Sequence, residues 1–331
     1  MQKNYGVRFL GYGAALPSKI VKNTDLEKLF DTSDEWIFTR TGIHERRVLA
    51  ENESGLSLAA NAAKKAIAKS RIKPEEIDLI IVSTSTPDKL YPSMSCMLQA
   101  EIGAVNAACF DLSAACSGYV FGIITASQFI YTGLYKNILV VGVDVHSRFL
   151  DWSERSVSIL FGDGAGAVVM GQCLSAEDEL IGSVMKSDAD RDLDLVLDNS
   201  NTSFSKFNKT TDSNFVCMNG KAIFQFAMKV VPKIVSELLD KINFSTDDFD
   251  YLILHQANQR IIDSVAQKLN MKKDKLISNI EKVGNTSAAS IPLAIVHGLD
   301  TKIIKTPSTL LLVGFGAGLT WGAAMIKCSV K

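Results

Sequence analysis

The chain has 331 residues, 47% of them hydrophobic, with 35 basic and 36 acidic side chains and a formal charge of −1. That length and apolar content bury a large core in one big or two medium domains. The balanced charge offers no overall basic field for nucleic acid, and no apolar run reaches the roughly 18 residues of a membrane span.

Met1–Asn4 leads into a strand-like run rather than a signal peptide, so the protein is expected to stay where it is made. A helical pattern follows from about residue 55, with Leu56, Leu58, Ala59, Ala62, Ala63, Ala66 and Ile67 on one apolar face. Lys73–Asp78 then leads into the strand Leu79–Val82. A second strand-like run, Ala107–Leu112, gives way through Ser113–Ala115 to Cys116 and the apolar helical run Ser117–Ile130. A thiol at the first turn of a buried helix faces unpaired amide N–H groups and the positive end of the dipole, which favours thiolate. Cys116 is therefore the candidate nucleophile. The other cysteines (96, 109, 173, 217 and 328) sit in apolar settings without C-x-x-C pairing. They read as reduced thiols, neither a disulfide framework nor a zinc site, and no metal is expected.

The glycine run Phe161–Gly166 matches a dinucleotide loop only in part and has no strand-to-helix context after it, which rules out that reading. From about Ser187 to Asn214 the chain is polar and reads as a surface connection. Beyond it the first pattern returns. Val230–Leu239 precedes Ser245–Asp250 and the strand Tyr251–Leu254, with Asp250 standing 172 positions after Asp78. Lys136–Gly142 matches Ser308–Gly314 at the same offset. Two matches at one spacing argue for duplication. Each half alternates helix and strand, the pattern of parallel sheets covered by helices. The expected organisation is a half at 1–186 carrying the cysteine, a connection at 187–216, and a half at 217–331.

Ligands of open α/β sheets bind where helices leave the carboxyl ends of strands. His255 follows the strand Tyr251–Leu254, and Asn285 lies in the Gly-Asn turn expected to match Cys116, at an offset of 169. Thiol, imidazole and amide thus converge on one pseudo-twofold centre. Cysteine with histidine supports a covalent thioester step. Asparagine has no titrating proton, so it serves with Nε2–H of His255 as a donor pair for an enolate oxygen formed by loss of carbon dioxide. The backbone of Gly314–Gly318, at Ala317, offers an oxyanion hole for the acyl group, although three glycines in five residues equally suit a tight turn.

Five stretches in order, Asp34–Ile43, Asp111–Gly118, Ile159–Gly166, Leu254–Arg260 and Gly284–Ser290, resemble the β-ketoacyl-acyl-carrier-protein synthase III family of the thiolase superfamily. The resemblance spans nearly the whole chain. It implies a thiolase-like fold, with duplicated α/β halves in five αβαβα layers. It also implies that Cys116 takes acetyl from acetyl-CoA, and that malonyl carrier protein is decarboxylated beside His255 and Asn285 to start type II fatty acid synthesis. CoA is then a substrate, and no separate cofactor is expected. By position, Trp36, Arg40 and Arg155 correspond to contacts of the CoA nucleotide, and the two arginines suit phosphate. Gly220 and Asn258 correspond to the pantetheine tunnel, and Tyr91 to an acyl-pocket residue supplied across a homodimer. Gln256, Ala257, Asn258, Gln259 and Arg260 correspond to the carrier-protein surface, with Arg260 placed for an acidic partner. Ala317 stands where many relatives have a third glycine. The implied location is the bacterial cytoplasm, or the plastid stroma for a plastid-encoded chain. Related Cys-His-Asn enzymes use longer or aromatic acyl-CoA, and a silent binding paralogue is the alternative of another class; an intact trio argues against the latter.

Overall fold

The computed structural model describes residues 5–189, 194–197 and 215–329. In chain order its main elements are β1 (Gly6–Ala15), α1 (Asp34–Thr41), α2 (Gly55–Ser70), β2 (Leu79–Ser83), α3 (Met94–Ile102), β3 (Ala108–Leu112), α4 (Gly118–Thr132), β4 (Asn137–Val145) and β5 (Asp163–Cys173). The second series is β6 (Leu180–Ser187), α5 (Gly220–Ile242), β7 (Tyr251–Leu254), α6 (Gln259–Lys268), α7 (Ser290–Asp300), β8 (Ser308–Gly316) and β9 (Thr320–Cys328).

The sheets have matching strand orders, β1-β5-β4-β2-β3 and β6-β9-β8-β7. A single parallel bridge from Leu276 to Leu252 stands in the second sheet where β3 stands in the first. Both sheets are mixed: β2 runs parallel to β3 and β4, and β7 parallel to β8, whereas β5 and β9 run antiparallel to their neighbours. The expectation of parallel sheets therefore holds only toward one edge of each, over β4-β2-β3 and β8-β7. The boundary between halves also moves. Strand β6 was assigned to the first half, yet it pairs with β9 and is the counterpart of β1. Most of the expected polar connection lies outside the described residues, but Leu195–Val196 pairs with Cys217–Met218 across it.

Alternation along the strands builds the five layers. Leu79, Ile81, Ile138 and Val140 from one sheet and Leu310, Leu312 and Ile253 from the other point inward onto α4 and α7. Ile80, Val82, Leu139 and Val141 point outward onto α2 and α3, while Leu311, Val313 and Phe315 meet α5 and α6. Each such aliphatic side chain contributes roughly 1.5–3 kcal/mol on burial. The order is helix, sheet, paired helices, sheet, helix. It brings the carboxyl ends of β2, β4, β7 and β8 and the starts of α4 and α7 together at the molecule's centre.

Candidate active site

Cys116 occupies a 3₁₀ turn, Ala115–Ser117, immediately before α4; the turn Ser287–Ala289 before α7 lies 172 positions further on. Both turns begin on a residue with left-handed backbone, Ala115 at φ 44° and Ser287 at φ 50°. That conformation is strained for residues with a Cβ, and such strain collects at functional sites. The counterpart of Cys116 is thus Ala288, not Asn285 as the offset of 169 suggested. His255 in turn is the counterpart of Ser83, and Ser290 that of Gly118.

This correspondence explains the contacts. In the first half Ser83 Oγ donates to the Gly118 carbonyl; in the second, Nδ1 of His255 is 2.8 Å from Ser290 Oγ. Asp144, buried at the end of β4, accepts from the Ala288 amide at 3.1 Å. Its counterpart is Gly316, where an added Cβ would stand 2.8 Å from Cys116 Cβ and 2.9 Å from its amide nitrogen. The first half's carboxylate caps the second half's turn, and the second half's glycine leaves room at Cys116 in the first. Gly142 and Gly314 are matched in the same way: a Cβ on either would press on the opposite turn, at the Ala288 carbonyl or at Ser117 Cα.

Cys116 is buried, and its Sγ accepts from Ser287 Oγ at 3.2 Å. Burial pushes the thiol up to about 12, reinforced by Asp144 and only partly offset by Ser287 and the residue's own amide. The helix start was expected to favour thiolate; in this closed site desolvation wins, and Cys116 rests as a thiol. Burial likewise pushes His255 down to about 3, with His146 adding to the shift. The resting pair is thiol and neutral imidazole. Asn285 is locked by its backbone, with its amide donating to the Leu160 carbonyl and its own carbonyl accepting from Gly162. Its side-chain Oδ1 accepts from the Ser287 amide at 2.9 Å, which leaves Nδ2 as the available donor.

Cys116, His255, Asn285 and Gly316 line one cavity of about 100 Å³, with Gly220, Ala257 and Asn258 on its outer wall. Cys116 also faces a second cavity of about 370 Å³ that includes Ala317, His146 and Ser287. A larger cavity of about 590 Å³ lies between α2 and α7 and holds none of the residues singled out from the sequence.

The remaining candidates divide. Trp36 on α1 lies between two guanidinium groups, Arg40 at 4.2 Å and Arg155 at 4.3 Å from the ring. Arg155 also donates to the Asp31 carbonyl, and the Arg40 carbonyl accepts from Asn258 Nδ2, tying this group to the cavity mouth. Arg260 is exposed at the start of α6, capped by Asn258, whereas Gln259 is half-buried and bonded to Asp263. Gln256 corrects the sequence reading. It is fully buried and its amide is consumed by Leu254, Ser278 and Asn279, so it presents no face to a partner. Tyr91 is 86% exposed and lies on neither cavity beside Cys116. Sequence reasoning missed Ser287, Ser290, Asp144 and His146. The two serines lie within the Gly284–Ser290 stretch, but only the fold brings them to Cys116 and His255.

Two family models match, 3-oxoacyl-[acyl-carrier-protein] synthase III over residues 110–189 and its C-terminal part over 239–328. The β-ketoacyl-[acyl-carrier-protein] synthase III of Trichormus variabilis is 46% identical over 329 residues, covering 98% of this chain and 99% of its own. That of Clostridium acetobutylicum is 47% identical over 323 residues, covering 97% and 98%. The crystal structure of 3-oxoacyl-[acyl-carrier-protein] synthase III from Aquifex aeolicus superposes with a TM-score of 0.90 at 40% identity, covering 98% of this chain and 100% of that one.

Proposed function

The chain belongs to the 3-oxoacyl-[acyl-carrier-protein] synthase III family, and we propose that Cys116 carries the acyl group while His255 and Asn285 generate the carbon nucleophile. The reaction is that of an acyltransferase: acetyl-CoA and malonyl-acyl carrier protein give acetoacetyl carrier protein, CO₂ and CoA, the initiating step of fatty acid synthesis.

In the first half-reaction the Cys116 thiol loses its proton as sulfur attacks the acetyl carbonyl, and the departing CoA thiolate takes one up. The backbone at Ala317 holds the oxyanion. In the second, the malonyl carboxylate leaves as CO₂ and its electron pair passes into the thioester carbonyl. Nε2–H of neutral His255 and Nδ2–H of Asn285 hold the resulting enolate oxygen, and no base is needed. The enolate carbon attacks the Cys116 thioester and expels the cysteine sulfur. The observation that carries this reading is the shared cavity, in which a thiol faces two neutral donors already fixed by Ser290 and Ser287.

CoA enters as a substrate, with its nucleotide against Trp36, Arg40 and Arg155 and its pantetheine past Gly220 and Asn258. Seating an adenine on Trp36 requires one of the stacked guanidinium groups to move aside. The acidic carrier protein docks on Arg260, Gln259 and Ala257. Homodimer formation is supported by β3, a sheet edge with one strand neighbour, and by Leu90 and Tyr91, which are 78% and 86% exposed. In such a dimer Tyr91 reaches the acyl cavity. No helix among the described residues is long and apolar enough to cross a membrane, and the proposed location is the bacterial cytoplasm or plastid stroma.

Intact-mass spectrometry tests the assignment. Acetyl-CoA adds one acetyl group to the wild type and none to Cys116→Ser. In Asn285→Ala the acetyl group loads but malonyl carrier protein no longer discharges it, and normal discharge by that variant sinks the role of Asn285.

A further inference from the structure

Arg46 is the largest fully buried side chain among the described residues, and the mechanism gives it no task. It lies on the short strand Glu45–Val48, which pairs antiparallel with Lys19–Lys22. The amide of His44, just before that strand, donates to the Glu281 carbonyl and so joins the hairpin to the turn Ile280–Val283 that leads into Gly284 and Asn285. Burial pushes the Arg46 guanidinium down to about 10, against the raising influence of Asp34, Glu45 and Asp25, so it remains a cation at neutral pH. Among the described residues it forms no ion pair. A buried charge without a counter-ion is costly and calls for a physical reason.

The donors of Arg46 go to main chain instead, Nη1 to the Val21 carbonyl at 3.2 Å and Nη2 to the Ile159 carbonyl at 2.9 Å. Ile159 opens the segment on which Asn285 hangs. The Leu160 carbonyl accepts from the Asn285 amide, Phe161 pairs with Asn285 in a parallel bridge, and the Gly162 amide donates to the Asn285 carbonyl. The stem of Arg46 fills the space beside both strands of that bridge. A Cβ added at Gly162 would stand 3.2 Å from Arg46 Cβ, and one at Gly284 would stand 3.1 Å from it. We propose that Arg46 is a positioning residue for Asn285, its guanidinium pinning the segment 159–162 so that Nδ2 of Asn285 meets the enolate oxygen. The proposal rests on the reading of Asn285 as an enolate donor. The turn of Cys116 is held separately, by Ser117 Oγ donating to the Ala114 carbonyl and by Thr320. Loss of Arg46 should therefore fall on condensation and spare loading of the acyl group.

The test compares wild type, Arg46→Met and Arg46→Lys in two readouts. The first is single-turnover discharge of the acetylated enzyme by saturating malonyl carrier protein. Its first-order rate constant does not depend on how much of a variant has folded. Arg46→Met is expected to slow discharge about tenfold, while acetylation by acetyl-CoA, counted per enzyme that loads, stays within about threefold of wild type. Arg46→Lys keeps the charge and a donor and falls between the two. Unchanged discharge in Arg46→Met, or equal slowing of both half-reactions, overturns the proposal. The second readout is amide hydrogen exchange by peptide mass mapping. Exchange should quicken about tenfold over residues 160–163 and 284–287 in Arg46→Met, with β4 and β8 unchanged. A uniform rise across the chain makes Arg46 general packing and also overturns the proposal. Where the methionine variant fails to load acetyl, the lysine variant decides on the same criteria. A wild type that loads acetyl but is not discharged overturns the reading of Asn285, and hydrogen exchange alone then decides whether Arg46 holds its turn.

Discussion

Ser290 Oγ lies 2.8 Å from Nδ1 of His255, at the first residue of the helix that follows the second-half turn. The proposed mechanism requires Nδ1 to accept the hydroxyl proton, so that the ring's own proton sits on Nε2, the nitrogen proposed to donate to the enolate. Removing the hydroxyl frees the tautomer and the ring orientation together. Ser290→Ala is expected to slow condensation about tenfold while acetylation of Cys116 keeps its rate. Equal losses in both half-reactions would place Ser290 in general packing.

The neutral state of His255 has a cost at low pH. Its ordinary value is near 6.5 and the folded value is about 3. The unfolded chain binds a proton as pH falls through about 6.5, whereas the folded chain does not until about 3, so acidification across that window favours unfolding. Stability from this group is complete above the unfolded value and declines below it, by up to about 1.4 kcal/mol per pH unit. Comparing wild type with His255→Gln by urea unfolding at pH 7 and pH 5 isolates the contribution. The wild type should lose more stability than the variant, and parallel losses count against a buried neutral ring.

A thiol held at about 12 alkylates slowly near neutrality. The iodoacetamide rate at Cys116, followed by peptide mass mapping, should rise about tenfold per pH unit from 7 to 9 without a plateau. Ser287→Ala removes the hydroxyl that partly offsets burial and should slow the reaction at pH 8 several-fold. A plateau below pH 8 would falsify the thiol resting state and restore the helix-start argument.

Gly316 tests the clearance around the nucleophile. In Gly316→Ala the new methyl stands within 3.2 Å of Cys116 Cβ, N and Sγ. Overpacking of this kind destabilises by about 1–3 kcal/mol. Displacing the sulfur should also cut acetylation by roughly 10²-fold in protein that remains folded. A folded variant that acetylates normally would show that the turn relaxes freely.

Much of this was legible in the sequence because it is local or repeated. The spacing of 172 between Gly142 and Gly314, the apolar face of α2, and Cys116 before a helical run all survive in the structure. What failed depends on distant contacts. The charge state of Cys116 is decided by burial and by Asp144, which the chain brings from another strand, and not by the helix start visible nearby. Gln256 follows a strand end and looks accessible, but Ser278 and Asn279 fold back over it. Strand β6 looks like the close of the first half because only pairing with β9 makes it the opening of the second. His146 gives no signal until its cavity exists.

Asp144 and Gly316 occupy equivalent places in the two copies and do opposite things. On the proposed roles the nucleophile belongs to one copy and both enolate donors to the other, so the two half-reactions are encoded in separate stretches of the gene. On those roles, changes around Cys116 are expected to alter loading of the starter, and changes around His255 and Asn285 how the new carbon–carbon bond is made. Selection can therefore retune the starter without rebuilding the chemistry of extension.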